Sequence, residues 1–247
     1  MKIAIQLSGE PRFTGDFDLF LKHLEGYTEA DWFIYLTNYN QNRQDFHNRR
    51  GVSMIPQWQT FSLDWATDKI SSNLPKNNTI QNIQISDCHL LNWPDADNLF
   101  DVYEDMTINV YNMYYNIYKA NELRLQFEKE TGTEYDVVIR MRTDVGIARE
   151  LNLQYIDLNT NTIYMPDNGW WGAYEFACND QIAISDPNSM NIYSTTVHHI
   201  HKYNSQGVIF HPETLLGYHL VSNNINMKRG GYEVTLRTLQ HDITKWS

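Results

Sequence analysis

Two apolar segments near the start of the chain constrain its fold most. Residues 2–9, "KIAIQLSG", and residues 31–39, "DWFIYLTNY", carry almost no polar/apolar alternation. A strand with one wet face alternates; one that does not is covered on both faces, as in a parallel sheet sandwiched by helices. Between them, Phe17, Phe20, Leu21 and Leu24 follow the i, i+3, i+4, i+7 spacing of an amphipathic helix. The turn "SGEPR" separates strand from helix. A strand, turn, helix and strand in this order predict an α/β chain with a mostly parallel central sheet.

The same grammar continues downstream. Met106, Val110, Met113, Ile117, Ala120, Leu123 and Phe127 step by three and four, which predicts one long helix over residues 102–127 closed by Gly132. Its tyrosines extend the packing face. Strands are expected at "YDVVIRMR", "NTIYMPD" and "NDQIAISD", and a last edge strand at "YEVTL". Helices are expected after Asp186-Pro187, with Asp186 as N-cap, and near Pro212 in "HPETLLGYHL". Residues 40–98, rich in Asn, Gln, Trp and Ser, read as an irregular stretch with short strands at "SMIPQW" and "TIQNIQIS". No linker or repeat divides the 247 residues, so residues 1–247 are expected to form a single domain.

Composition excludes several functions. A net charge of −11 with no Lys/Arg block disfavours nucleic-acid binding. No apolar run reaches the ~18 residues of a membrane span, and the N-terminal run is too short for a secretory leader. A cytoplasmic protein that can visit a membrane surface is expected. Cys88 and Cys178 are far apart and lack a Cys-x-x-Cys, which points to two reduced thiols. "SGEPR" has neither the Walker lysine nor a Gly-x-Gly-x-x-Gly triplet, which argues against a P-loop kinase and a dinucleotide oxidoreductase. His198, His199 and His201 are spaced by one and two, which splays them round a helix, so a solvated helix end is expected rather than a metal site.

The chemistry concentrates in "YDVVIRMRTDVG", residues 135–146. Alternation along the strand sends Tyr135, Val137, Ile139 and Met141 one way, and Val138, Arg140, Arg142 and Asp144 the other. Two arginines and a carboxylate near the carboxyl end of a strand stand where open α/β sheets bind ligands. Guanidinium groups suit phosphate oxygens and a carboxylate suits Mg²⁺ or Mn²⁺. An internal salt-bridge cluster accounts for the pattern equally well.

"IQLSGEPR", the long helix, "YDVVIRMRTD", "NDQIAIS" and "HPETLL", in that order, resemble nucleotide-sugar glycosyltransferases of the GT-A fold, the kind found among bacterial and viral lipopolysaccharide and capsule enzymes. The resemblance implies an α/β/α sandwich. It also implies a sugar passed from a UDP-, GDP- or dTDP-linked donor to a glycan or lipid-linked glycan. The family's Asp-x-Asp motif, which holds Mn²⁺ or Mg²⁺ on the donor diphosphate, falls at "RTD". Asp144 matches its acidic end, and Arg142 replaces its first aspartate. Either Asp144 keeps the metal with other ligands, or Arg142 takes over part of the metal's charge. By position, Ser8, Gly9, Arg12, Arg140, Arg142 and Gln181 become candidate nucleotide-sugar contacts. Asp180 and Glu213 become candidate bases, and His241 a late metal or phosphate ligand. Trp170 and Trp171 in "GWWGAYEF" are candidates for stacking on an acceptor sugar, although buried anchoring suits them as well. A non-catalytic sugar-binding protein and a sugar-phosphate nucleotidyltransferase are the alternatives. The former is motivated by the replaced aspartate; the latter lacks its usual Gly-rich loop with a basic residue.

Overall fold

A computed structural model describes residues 1–10, 29–38, 62–87, 107–147, 153, 156–158, 161–168 and 176–236. The predicted helix over residues 15–27 and the strand at "SMIPQW" lie outside them, as do Cys88, Arg12, Trp170, Trp171 and His241.

The two opening strands are present as β1 (Ile3–Gly9) and β2 (Ala30–Asn38), both almost wholly buried. They pair in parallel, Ile3 opposite Ala30 and Gly9 opposite Leu36. β3 (Asn78–Asp87) adds to β2 in parallel, and β4 (Val137–Arg142) adds to the other side of β1, also in parallel. β5 (Val145–Ile147) follows after a two-residue turn. β6 (Thr162–Met165), β7 (Ile182–Ser185) and β8 (Asn226–Arg229) complete a seven-stranded sheet of order β3-β2-β1-β4-β7-β6-β8. β7 runs antiparallel to both neighbours, and β6 and β8 are parallel. β9 (Val234–Leu236) pairs with β5 in a small second sheet, which is the edge strand expected at "YEVTL".

Helices cover both faces. α1 (Leu63–Ser71) turns Ala66 and Ile70 onto the face made by Ile3, Ile5, Leu7, Val137, Ile139 and Met141. α2 (Thr107–Thr131) lies on the other face. Its Val110, Tyr111, Tyr114, Ile117, Ala120 and Leu123 pack there with Ala4, Phe33 and Val138. Gly132 ends α2 at φ 69°, its N–H bonded to the Glu128 carbonyl at 2.9 Å, a left-handed closure that glycine adopts without strain. α3 (Pro187–Ser194) starts as expected. Asp186 Oδ1 accepts from the amides of Asn188 and Ser189 at 2.9 and 3.1 Å. A 3₁₀ segment (Thr195–His199), α4 (Ile200–Ser205) and α5 (Pro212–Ser222) complete this layer. The architecture is thus α/β, with a mostly parallel central sheet between helical layers.

Three expectations need correction. Residues 40–98 are not irregular throughout. They hold α1, capped by Ser62 Oγ accepting from Trp65 N at 3.1 Å, and the full parallel strand β3. Tyr135 does not share a face with Ile139. It packs edge-on to Phe33 on the α2 side and donates to Asp31 Oδ2 at 2.7 Å. The histidines of "TTVHHIHKY" are solvated only in part: His198 is exposed and His199 and His201 are half-buried, and all three rings meet aromatic partners. His198 lies against Tyr118, His199 against His219 and His201 against Tyr111, at 4.5, 5.1 and 5.4 Å between centroids.

Candidate active site

The carboxyl ends of β1 and β4 lie side by side, Ser8 opposite Arg142. Gly9 leaves β1 at φ 134°, a conformation reserved for glycine, and the loop behind it is tied to the next one by Thr143 Oγ1 donating to the Glu10 carbonyl. Among the described residues the buried Ser8 hydroxyl has no hydrogen-bond partner.

Arg142 and Asp144 form a fork. Nε and Nη2 of Arg142 donate to Oδ1 and Oδ2 of Asp144 at 2.9 and 2.8 Å. Nη1 of Arg142 lies 3.7 Å from Asp180 Oδ1. The Arg142 side chain keeps 25% exposure, so the fork faces outward. Burial works against its charge, but the carboxylates of Asp144 and Asp180 outweigh it and hold Arg142 above the ordinary arginine range.

Arg140 is placed differently. It is fully buried, lies over the Tyr193 ring at 6.0 Å, and donates through Nη1 to the Asp180 and Gln181 carbonyls. Through these bonds it supports the segment that carries Asp180. Alternation had put Arg140 on the right face; depth separates it from Arg142.

The segment before β7 is shaped by Asn179, to which the sequence reading assigned no role. Its Oδ1 accepts the Gln181 amide at 2.7 Å and its Nδ2 donates to the Asn168 carbonyl at 2.8 Å. An Asn three residues before a strand, accepting its own i+2 amide, is the legible signal here. Asp180 is 3% exposed. α5 then brings Glu213 to it. The Cys178 amide donates to the Glu213 carbonyl at 3.2 Å, and the buried free Cys178 lies beside the same oxygen. Gly217 permits this approach: a Cβ there would stand 1.7 Å from the Phe176 carbonyl oxygen. On the far side, Tyr114 of α2 donates to the Pro212 carbonyl at 2.6 Å.

Glu213 occupies the first turn of α5, where the helix N-terminus favours a negative charge. Burial overrides this. Together with the nearby Asp180 charge, and against the pull of Arg142, it pushes the Glu213 carboxyl up to about 7. The same charges, added to burial, push the Cys178 thiol and Tyr114 phenol well above their usual ranges. His211, also unassigned in sequence, places Nδ1 3.0 Å from Glu213 Oε2. Burial lowers its pKa, with Asp180 opposing. Asp180, Glu213, Arg142 and His211 therefore converge with one group poised to exchange a proton near neutrality.

The residues described do not fit a divalent metal. Both oxygens of Asp144 are engaged by Arg142, a cation that would repel the ion. Among the described residues no group of three His, Cys, Asp or Glu side chains is placed to hold a metal ion. A depression of about 760 Å³ between α1 and β3, lined by Thr67, Ser71 and residues 74–83, opens at the amino-terminal half of β3 and lacks these charges.

No protein-family model matches the chain, and no curated protein matches it. Among solved structures it is similar to the galactosyltransferase LgtC in complex with donor and acceptor sugar analogs, at 14% identity over 92% of this chain and 73% of that one, with a TM-score of 0.45. A likeness of that order bears on neither chemistry nor substrate. Among the described residues no helix is long and apolar enough to cross a membrane.

Proposed function

We propose that the chain is a GT-A-type glycosyltransferase that moves a sugar from a nucleoside-diphosphate donor to a hydroxyl of a glycan or lipid-linked glycan. The observation that carries this reading is the meeting of Asp180 and Glu213 with the outward Arg142 fork at the carboxyl ends of β1 and β4, with Glu213 pushed up to about 7. Ligands of open α/β sheets bind at this end. The order of motifs along the chain agrees with it.

Glycosyl transfer breaks the bond between the anomeric carbon and the diphosphate oxygen, and the electron pair leaves with the diphosphate. A fixed cation must meet that charge, and a carboxylate must take the acceptor's proton. Arg142 supplies the first, held in orientation by Asp144. Asp180 or Glu213 supplies the second. Arg140, Asn179 and Gly217 keep the carboxylates in place. No step is assigned to a metal.

The test is a panel of UDP-, GDP- and dTDP-sugars against the thermal midpoint, in EDTA and in Mn²⁺, with release of nucleoside diphosphate measured in parallel. At least one donor should raise the midpoint, since a ligand of the native state stabilises it. Asp144→Ala should weaken the shift, because Arg142 loses its fork. If no nucleotide sugar shifts the midpoint in either medium, the reading is wrong. A shift without any turnover would favour the sugar-binding protein. Strict dependence on Mn²⁺ would show that Asp144 leaves Arg142 for a metal.

A further inference from the structure

His211 stands at the N-cap of α5 in extended conformation, and its ring reaches back to the first turn of the helix it precedes. Its Nδ1 and Glu213 Oε2 are 3.0 Å apart, yet both are shut off from water and neither has an aligned hydrogen-bond partner. Two buried polar atoms facing each other at this distance cannot both be bare acceptors without a cost of desolvation and repulsion. One proton between them removes it. The side chain of His211 remains 34% exposed, against 16% for Glu213, so the histidine is the end that meets solvent.

We infer that His211 and Glu213 hold one proton in common and act as a single acid–base pair, with Glu213 facing the acceptor hydroxyl and His211 passing protons between Glu213 and water. The groups around the pair are Asp180 before β7, Arg142 of β4, Cys178 and Tyr114 of α2, with Asp144 held on Arg142. Burial favours the neutral form of both members, and the Asp180 carboxylate discourages a second negative charge beside it. The resting pair is then a Glu213 carboxyl donating to an imidazole that is protonated only on Nε2.

The use of the pair in chemistry rests on the glycosyl-transfer reading; the shared proton does not. The Glu213 proton moves to His211 Nδ1, leaving an imidazolium and a carboxylate. The acceptor oxygen then bonds to the anomeric carbon while its proton goes to Glu213. The bond to the diphosphate oxygen breaks, with the electron pair leaving on the diphosphate. The exposed imidazole loses its Nε2 proton to water, and the resting pair is restored when Nδ1 passes its proton to Glu213 Oε2, the carboxyl releases its other proton to water and Nε2 takes one back from water. Glu213 is the catalytic residue and His211 positions and recharges it.

Two measurements test this separately. In ¹⁵N-histidine-labelled protein, the imidazole nitrogens are followed through a pH titration, with His211→Asn identifying the His211 signals. Glu213→Gln keeps the shape and removes the carboxylate. His211 should then lose the midpoint near 7 that its signals share with Glu213, because the proton released there is the carboxyl proton that Nδ1 accepts. An unchanged midpoint overturns the pair. The second measurement is the pH profile of turnover on the donor found in the panel above. His211→Gln should move the limb of the kcat profile while leaving the donor KM within about twofold, and a uniform loss at every pH would reduce His211 to a structural role. Coupled titration with no donor turned over at any pH would sink the glycosyl-transfer reading and leave the shared proton standing. Turnover without coupled titration would do the reverse.

Discussion

Arg124 pairs with one carboxylate and Arg142 with two, and the contrast between them separates scaffold from site. Arg124, in α2, is fully buried. It donates to Glu128, to Asn191 and, at 3.0 Å, to Asn121, which itself accepts from Gln6 of β1 at 2.8 Å. Burial lowers its pKa, with Glu128 opposing. This cluster links sheet, α2 and α3 through one cation, one carboxylate and neutral amides, with Nε of Arg124 and Oε1 of Gln6 buried and unpartnered among the described residues. The Arg142 cluster has one partly exposed guanidinium against Asp144, Asp180 and Glu213, and burial, with the Asp180 charge added to it, raises the Glu213 pKa to about 7. A charge-balanced network away from the ligand end supports the scaffold, whereas an unbalanced one at the ligand end of a sheet is set up to change its protonation.

Activity should break the symmetry of the two clusters most sharply. Asp180→Asn and Glu213→Gln should each lower turnover of the donor by roughly 10²–10⁴-fold, the usual contribution of a positioned acid or base. Arg124→Met should leave turnover per folded molecule within about twofold. Steady-state release of nucleoside diphosphate measures both. If Arg124→Met lost as much activity as Glu213→Gln, the division between scaffold and site would be mistaken.

The contact that joins site to scaffold comes next. In Gly217→Ala the new methyl would meet the Phe176 carbonyl oxygen at 1.7 Å, and backbone cannot rotate away as a side chain can. The segment leading to Asp180 must lift from α5, at a cost of about 3 kcal/mol by urea unfolding. Turnover should fall as well, because Asp180 and Glu213 part. A variant of wild-type stability would mean that the approach of Phe176 to α5 is not what brings them together.

Arg124→Met should cost somewhat less, about 2–3 kcal/mol, since it leaves Glu128 without its partner at a place where that side chain is 20% exposed and water can reach it. Equilibrium unfolding that moved by less than about 0.5 kcal/mol would show the link between sheet and helices to be dispensable.

What could be read in the chain follows the reach of each signal. β1, β2 and β4 were legible because continuous apolar runs mark doubly covered strands, and α2 because its burial repeats at helical spacing up to Gly132. α1 was missed because only Ala66 and Ile70 are buried in it, too few for a period; the Ser62 cap was its better marker. β8 was missed because Asn226, Lys228 and Arg229 are exposed, so its place beside β6 is fixed by backbone hydrogen bonds. At the site, alternation put Arg140 and Arg142 on one face but carried no information on depth. The meeting of Asp180 with Glu213 depends on the approach of Phe176 to Gly217, which no local pattern announces. His211 went unassigned because a histidine beside a proline marks nothing until the first turn of α5 folds its ring back onto Glu213.

The mildest expected effect is also the one that isolates Glu213 from its surroundings. Its native pKa of about 7 lies above that of an exposed glutamate because burial penalises the charge. Between the two values the native state binds more protons than the unfolded chain, so this group lowers stability as pH rises from about 4.3 to about 7 and adds nothing further above that. Glu213→Gln removes the titration. The difference in unfolding free energy between variant and wild type should therefore shift in favour of the variant by about 1–3 kcal/mol across that window. Urea unfolding of the wild type and the variant at the two ends of the window reads this directly. A parallel pH dependence in wild type and Glu213→Gln would mean that the burden of the unbalanced cluster falls on another group.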